Sequence, residues 1–351
     1  MEPKPSRRAG GAPTLSDVAR AAQVSPMTVS RVINGDANVR EQTREKVHAA
    51  VAALKYSPNP AARLLAGGAQ CRIALIYGNP SSAYLSEVLV GCLAESGPAH
   101  VQLQLERLDE SESATAVASR LKTARVNGVI LPPPFSDDRP LIARLTKARI
   151  AVAILASGTP AAEAIAMSID DAGAAWDMTH YLLEAGHRRI GFIMGDLDQS
   201  ASVRRREGFL EALSHAGVTF DPELMMEGDF TYRSGLLAAE RLLSLDRPPT
   251  AIFASNDDMA AAVVAAAHRR HLDVPADLSV CGFDDTALAT TISPELTTVR
   301  QPIAEMARAA MQALVKASRL QRVNKPDPVE HRLFDHEIVR RESAASPLCR
   351  A

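Results

Sequence analysis

Apolar residues near the start of the chain recur at the spacing of an α-helix. Segment 14–34 reads TLSDVARAAQVSPMTVSRVIN, and its apolar positions fall three or four residues apart in two short groups. Thr14 can cap the first group and Ser25 the second, with Pro26 at the first helical position, where a missing N–H is tolerated. The pattern predicts two short helices joined by a tight turn, followed by a third amphipathic helix over about 40–54.

The pattern changes after the glycine pair at 67–68, where strand-length apolar runs begin to alternate with helical patterns. The runs are RIALIYG, VQLQLE, GVILPPP, IAVAILA, RIGFIMG, TAIFASN and LSVCGF. Continuous apolar strands that alternate with helices indicate parallel sheets covered on both faces. Because there are too many units for one compact sheet, we predict two, with ligand chemistry at the strand ends in the cleft between them.

Charge separates the two parts of the chain. Residues 1–66 carry ten Lys and Arg against five Asp and Glu, a net charge of +5, whereas the whole chain of 351 residues carries −2. A basic head on an acidic body predicts a polyanionic partner for the head alone.

The chain offers little sign of export, of membrane insertion or of a metal site. Residues 1–12 contain basic residues but no apolar core of a signal peptide, so we predict a disordered arm and a cytoplasmic, nucleoid-associated protein. No apolar run reaches transmembrane length. The four cysteines are scattered, which predicts free thiols, and we expect no metal, no cofactor and no membrane partner.

The second predicted helix presents small, polar and basic side chains from its N-terminal half, which is typical of a helix that enters the major groove of DNA. We predict that Met27, Thr28 and Arg31 read base edges, since arginine commonly binds guanine through two hydrogen bonds. The predicted phosphate contacts are Thr14, Ser25, Ser30 and Asn34. Ser30 and Asn34 have an equally good alternative role in ending and capping the helix.

Eight segments distributed along the chain carry a family resemblance. They are DVARAAQVSPMTVSRVIN, TREKV, SPNPAARLLA, AGHRRIGFIMG, RRREGFLEAL, FASNDDMAAAVVAA, LSVCGFDDT and LTTVRQP. Together they resemble the LacI/GalR family of bacterial transcription regulators. The resemblance implies an all-α helix-turn-helix head of the lambda-repressor type and a two-lobed α/β core of the periplasmic-binding-protein type with parallel sheets. It also implies a homodimer on a near-palindromic DNA operator, with Pro26 and Met27 setting operator choice.

The resemblance also implies a domain organisation. We expect a disordered arm over 1–12, a DNA-binding domain over 13–56, a hinge helix and linker over 57–68, an effector-binding and dimerisation core over 69–342, and a tail over 343–351. Three crossings near residues 167, 295 and 327 would give a first lobe of 70–166 plus 296–326. The second lobe would be 167–295 plus 327–342.

The hinge is predicted from the short segment 59–66. A helix of two turns is marginal in water by itself, and the family's hinge folds when it pairs with its dimer mate on DNA. Asn59 can cap this helix, Ala62 matches the small residue at the hinge–hinge contact, and Leu65 matches the leucine that wedges into the minor groove. A plain linker is the alternative.

Polar residues at the ends of the predicted strands indicate a small-molecule site. The positions that match the family's effector contacts are Arg205, Phe230, Asn256, Asp284 and Gln301. A carboxylate, a guanidinium, an amide and an aromatic ring together suit a polyhydroxylated ligand such as a sugar. The alternatives are a turn residue for Asp284, a helix cap for Asn256 and a solvated helix face for Arg205.

Two positions depart from the family pattern. Gln23 stands where the family usually has glycine, which would cost on the order of 1 kcal/mol if the backbone φ there is positive. Ala156 stands where the family often has an acidic residue, so one carboxylate that binds sugar hydroxyls is missing and an ordinary hexose is a poor expectation. Asp170 and Asp171 match a common pair of the family, for which we expect a structural or hinge role.

We therefore predict a sequence-specific DNA-binding repressor that a sugar or sugar derivative releases from its operator. A repressor that requires a corepressor and a DNA-binding protein without an effector are the alternatives within the same class. A solute-binding protein would share the core but not the basic head. An enzyme is disfavoured because GxGxxG, Walker A, HExxH and GxSxG motifs are all missing, and no residue is assigned a catalytic role.

Overall fold

The structure is a computed structural model that describes residues 13–33, 39–54, 56, 71–99, 101–108, 112–322 and 329–347. It divides into two compact units, Met1–Gln70 and Cys71–Ala351. The predicted arm over 1–12 lies outside the described residues, as do the predicted DNA contact Asn34 and the three hinge residues Asn59, Ala62 and Leu65.

Three helices form the N-terminal unit: α1 (Leu15–Ala22), α2 (Pro26–Ile33) and α3 (Glu41–Ala53). Their apolar faces meet in a small core that includes Val18, Val29 and Val47, each fully buried. The i, i+3, i+4 spacing in the sequence places these residues on the inner side of each helix.

The turn between α1 and α2 is built from local hydrogen bonds. Thr14 and Asp17 cap each other's backbone at the start of α1, and the N–H of Val24 returns to the carbonyl of Ala19 (3.0 Å) at its end. That closure requires a left-handed residue between them, and Gln23 adopts it with φ 54°. Ser25 then accepts the backbone N–H of Thr28 (3.1 Å) and begins α2.

Two six-stranded sheets form the C-terminal unit. The strands of the first sheet, in spatial order, are β11 (His331–Phe334), β5 (Ile165–Ile169), β4 (Ala151–Leu155), β3 (Gly128–Leu131), β1 (Cys71–Tyr77) and β2 (Val101–Arg107). Those of the second are β12 (Glu337–Val339), β10 (Thr297–Arg300), β9 (Ser279–Asp284), β8 (Ala251–Ala254), β6 (Ile190–Ile193) and β7 (Met225–Met226). Every pairing is parallel except that of β10 with β12.

Helices cover both faces of each sheet. In chain order they are α4 (Ser82–Ala99), α5 (Ala114–Thr123), α6 (Arg139–Lys147), α7 (Asp171–Glu184), α8 (Ser200–His215), α9 (Tyr232–Leu242), α10 (Asp257–Arg269), α11 (Leu288–Thr291) and α12 (Ile303–Arg322), with 3₁₀ turns at Phe135–Asp137 and Pro222–Leu224. Alternate residues of β1 show the layering, because Ile73 and Leu75 join one apolar cluster and Ala74 and Ile76 another. Burial on both faces explains why the strands are continuous apolar runs.

The three crossings between the sheets differ from the predicted positions. β5 stays in the first sheet, so the first crossing follows Ile169. β10 pairs with β9 in the second sheet although 296–326 was assigned to the first lobe, and β11 pairs with β5 in the first sheet although 327–342 was assigned to the second. The predicted limits are therefore three to eight residues early, because an apolar strand carries no mark of which sheet it will pair with.

Candidate functional site

The outward face of α2 carries the residues predicted to contact DNA. Met27 is 66% exposed, which is unusual for a large apolar side chain in a small unit that needs its core. Pro26 and Arg31 are also exposed, and Thr28 and Ser30 are half-buried beside them. These side chains lie on the face of α2 opposite to Val29 and Val32, which are buried.

The predicted phosphate contacts at the helix starts already have local partners. The Thr14 hydroxyl donates to Asp17 Oδ2 (2.6 Å), and this contact is the largest cause that lowers the pKa of Asp17. Ser25 Oγ lies 2.9 Å from Thr28 Oγ1. Both hydroxyls are exposed at helix N-termini, where backbone N–H groups point outward and favour an anion.

A second candidate site lies between the two sheets of the C-terminal unit. The space between its walls is about 360 Å³, part of which is open to solvent. The residues that line it are Asn79, Ser81, Tyr84, Pro133, Ala156, Gln199, Ala201, Arg205, Phe230, Asn256 and Asp284. Four of the five residues predicted to contact an effector are among them.

Arg205 extends from α8 into this cavity and is almost completely buried. Its Nε donates to Asp171 Oδ1 (2.8 Å) and its Nη1 to the carbonyl of Ser255 (2.6 Å), while its guanidinium carbon lies 3.5 Å from the centre of the Phe283 ring. Burial raises the pKa of Asp171, and the adjacent guanidinium opposes that shift. The Arg205 side chain is therefore held rigidly, and no other described protein group takes a hydrogen bond from its Nη2.

Asp284 ends β9 and is 5% exposed. Gln301 Nε2 donates to its Oδ1 (2.6 Å), and burial raises the pKa of Asp284 to about 7. Gln301, predicted as an effector contact, lies behind Asp284 and is not among the residues that line the cavity. In this structure it orients the carboxyl group.

Asn256 and Phe230 form one wall together. Asn256 Oδ1 accepts the N–H of Met259 (2.9 Å), and its Nδ2 donates to the carbonyl of Phe230 (2.9 Å). Asn256 therefore caps α10, which was its alternative role, and also lines the cavity. Phe230 has φ 65°, and its ring lies so close to Gly195 that a Cβ there would come within 1.9 Å of it.

The sequence analysis missed several residues of the cavity. Tyr84, in the first turn of α4, is 4% exposed, and its buried hydroxyl has no hydrogen-bond partner among the described residues. Gln199 precedes α8 and is 6% exposed, and its side chain makes no cap bond to that helix. A polar residue next to a helix start is the only sequence signal for either, and it is a common one.

Two sets of hydrogen bonds join the lobes beside the cavity. Asp137, in the first lobe, accepts both the backbone N–H and the hydroxyl of Ser200 at the start of α8 (2.8 Å each). Ser200 Oγ in turn accepts the N–H of Gly158 (2.8 Å). On the other side, Ser81 Oγ donates to Asp258 Oδ2 (2.6 Å) at the start of α10. These bonds hold the two lobes together around the cavity.

Asp170 and Asp171 occupy structural positions, as expected from their place in the sequence. Asp170 accepts the N–H of Gly173 (3.1 Å) and caps α7, while Asp171 pairs with Arg205. Within the described part of the chain, no cluster of three His, Cys, Asp or Glu side chains could hold a metal ion, and no helix is long and apolar enough to cross a membrane.

Two family models and several curated proteins match this chain. A model described as bacterial regulatory proteins of the lacI family matches residues 14–59, and one described as a periplasmic binding protein-like domain matches residues 179–344. Catabolite control protein A of Priestia megaterium is 34% identical over 305 residues, which cover 86% of this chain and 92% of that protein. The HTH-type transcriptional repressor CytR of Escherichia coli K12 is 32% identical over 335 residues, covering 95% and 96%.

Solved structures of similar architecture cover nearly the whole chain. A complex of the transcriptional regulator CelR with cellobiose has a TM-score of 0.71 at 31% identity, covering 94% of this chain and 99% of that one. The lac repressor dimer bound to its operator and an anti-inducer has a TM-score of 0.72 at 27% identity, covering 95% and 100%.

Proposed function

The chain belongs to the lacI family of bacterial regulatory proteins, and from that premise we propose that it is a homodimeric repressor that leaves its operator when a small polyhydroxylated ligand binds between its lobes. It is a DNA-binding transcription regulator with a helix-turn-helix head and a two-lobed core. The observation that carries the ligand part of the proposal is the cavity lined by Arg205, Asn256 and Asp284.

The DNA part rests on α2. Pro26, Met27 and Arg31 are exposed on its outward face, while its buried face fixes the helix against α1 and α3. We assign base reading to Met27, Thr28 and Arg31, and phosphate contacts to Thr14, Ser25 and Ser30. Two copies related by a twofold axis require a near-palindromic operator. The location that follows from such a partner is the cytoplasm, at the nucleoid.

The ligand part rests on the polar atoms that the protein leaves available in the cavity. Asp284 Oδ2, Arg205 Nη2, the Tyr84 hydroxyl and the Gln199 amide have no hydrogen-bond partner among the described residues. A compact ligand with several hydroxyl groups satisfies this set, because hydroxyls both donate to a carboxylate and accept from a guanidinium. We therefore retain Arg205 and Asp284 as ligand contacts, with Asn256 and Phe230 as the wall and Gln301 as support for Asp284.

The relatives agree with this class of ligand and partner. One similar structure is of a regulator bound to cellobiose, and another is of a dimeric repressor bound to operator DNA. The curated relatives are regulators and not enzymes, and we propose no catalytic role for any residue of this chain.

The experiment has three steps. The purified protein first selects its operator from random duplex DNA. A thermal-shift screen then finds the sugars that raise its melting temperature, and fluorescence anisotropy measures operator affinity with and without each of these sugars. We expect at least one such sugar to weaken operator binding by roughly 5–150-fold, the usual range of coupling between two sites. A sugar that tightens binding would identify a corepressor instead, and selection that enriches no sequence would overturn the DNA part.

A further inference from the structure

The cavity between the lobes has a polar side and an apolar corner, and the corner restricts which ligand fits. The polar side includes Asn79, Ser81 and Asn256, whose side chains bond within the protein, and Tyr84, Gln199, Arg205 and Asp284, which keep polar atoms without a partner among the described residues. The apolar corner is defined by Pro133, Ala156 and Ala201, whose side chains line the same cavity but offer no hydrogen bond. A ligand that carries hydroxyl groups on every edge would satisfy the first side and leave a hydroxyl unpaired against the second.

Two segments from different lobes meet at the corner. Ala156 follows β4 directly, and Ala201 lies in the first turn of α8. The hydrogen bond from the Gly158 N–H to Ser200 Oγ (2.8 Å) joins their neighbours. Both alanines are buried, at 2% and 5% exposure, so little water reaches a ligand edge placed between them.

Three polar groups beside the corner already make hydrogen bonds within the protein. Ser157, the residue after Ala156, donates its hydroxyl to Asp137 (2.6 Å), and the carbonyl of Pro133 accepts from Asn79 Nδ2 (3.1 Å). The backbone N–H of Ala156 donates to the carbonyl of Met167 (2.9 Å). The Ser157 hydroxyl and the Ala156 N–H donate elsewhere, and the Pro133 carbonyl already accepts one hydrogen bond. A ligand hydroxyl at this corner is therefore poorly paired, and a poorly paired buried hydroxyl weakens binding.

We propose that the ligand is a deoxy sugar, which presents a methyl or deoxy carbon to Pro133, Ala156 and Ala201 and its hydroxyl groups to Tyr84, Gln199, Arg205 and Asp284. This inference rests on the proposed function and narrows the ligand class of the same site. An apolar corner discriminates against one added hydroxyl by a modest factor, on the order of 10–100-fold.

Matched pairs of sugars test the proposal. The probes are L-fucose with L-galactose, L-rhamnose with L-mannose, and 2-deoxy-D-ribose with D-ribose, each measured by thermal shift and then by calorimetric titration of the full-length protein. We expect at least one deoxy member to bind roughly 10–100-fold more tightly than its hydroxylated partner. Equal or tighter binding of the hydroxylated members would overturn the inference, and so would a screen in which only sugars without a deoxy position bind.

A substitution at the corner tests whether these residues cause the preference for a deoxy sugar. Ala156 has φ 52°, a conformation that aspartate tolerates better than most residues, so Ala156→Asp adds an acceptor with no more backbone strain than the alanine already has. We expect this variant to lose or reverse the preference for the deoxy member. Ala162→Asp, in an exposed turn after the same strand, should keep it. If Ala156→Asp does not fold, Ala201→Ser introduces a hydroxyl into the same corner with the same expected direction.

The two proposals fail in different ways. An unchanged ratio of affinities in Ala156→Asp overturns the apolar corner as the specificity element but leaves a sugar-responsive repressor intact. Failure of the proposed function appears as a sugar that binds without any change in operator affinity, or as a screen in which no sugar binds at all.

Discussion

At the residue scale, some side chains of this molecule are buried in its core, whereas others are exposed or line the cavity. Val29 and Val32 on α2 are buried, and Met27 and Arg31 on the same helix are not. In the cavity, Asn256 does both, because it caps α10 and also lines the site. The exposed and cavity-lining residues give the sharpest tests, since their replacement should change binding while leaving stability nearly the same.

Arg31→Ala should weaken operator binding by about 1–3 kcal/mol and relax the preference at one base pair in each half-site, because it removes the bidentate contact to guanine that we propose for Arg31. Anisotropy titrations against operator variants at one salt concentration measure both effects. Arg20→Ala, which removes the same charge from the exposed end of α1, is the matched control and should not change base preference. Wild-type affinity in Arg31→Ala would show that α2 does not read DNA through this residue.

Asp284 should make the stability of the unliganded protein depend on pH. Burial raises its pKa from 3.8 to about 7, so the folded state binds the proton more tightly than the unfolded state does. The stabilising contribution is therefore fully present below about pH 4 and is lost as the pH rises to about 7. At about 1.4 kcal/mol per pKa unit, the loss is at most about 4 kcal/mol.

The measurement is chemical denaturation at several pH values, with Asp284→Asn as the comparison. The difference in the free energy of unfolding between the two proteins should change between pH 4 and 7 and be constant above that range. A difference that does not change with pH would mean that Asp284 has an ordinary pKa and is better solvated than its burial implies.

At the element scale, the sequence predicts the helices better than it predicts the sheets. Helical spacing and the caps at Thr14 and Ser25 are local signals, and the structure has α1, α2 and α3 where they indicate. Short strands such as β10 and β11 are predictable as extended segments, but their sheet depends on partners far along the chain. A strand end predicted Asp284, and a helix start together with the family resemblance predicted Arg205, whereas Tyr84 and Gln199 reach the cavity only through the packing of the two lobes.

The turn after α1 places Gln23 in a strained backbone conformation. Gln23 has φ 54°, and a non-glycine residue in this conformation costs on the order of 1 kcal/mol. Gln23→Gly should therefore stabilise the N-terminal unit by somewhat less than that amount, since glycine also increases the entropy of the unfolded chain.

Hydrogen exchange of the backbone amides of α1 and α2 in the full-length protein detects this change locally. Exchange should slow in Gln23→Gly, slow less in Gln23→Asn, and be unchanged or faster in Gln23→Ala. Faster exchange in the glycine variant would contradict the strain argument.

At the scale of the whole molecule, the hydrogen bonds between the lobes should set how readily the cavity closes. Asp137→Ala removes the acceptor for both groups of Ser200 without changing any residue that lines the cavity. A smaller population of the closed form lowers the apparent affinity for ligand, here by roughly 3–10-fold.

Calorimetric titration with the sugar found in the screen measures that affinity. Asp138→Ala is the matched control, because Asp138 caps α6 within the first lobe through the N–H of Leu141 (2.9 Å) and makes no bond to the described residues of the second lobe. An equal loss of affinity in both variants would indicate general destabilisation and not a role in closure.

The central claim is that a ligand held by Asp284 controls the affinity of the N-terminal unit for operator DNA. The most direct test measures this affinity during a titration with the identified sugar. Wild type should release the operator as the sugar is added, and so should Asp246→Asn, which alters an exposed carboxylate away from the cavity. Asp284→Asn should bind the operator with wild-type affinity and no longer respond. A response in Asp284→Asn equal to that of the wild type would contradict the account.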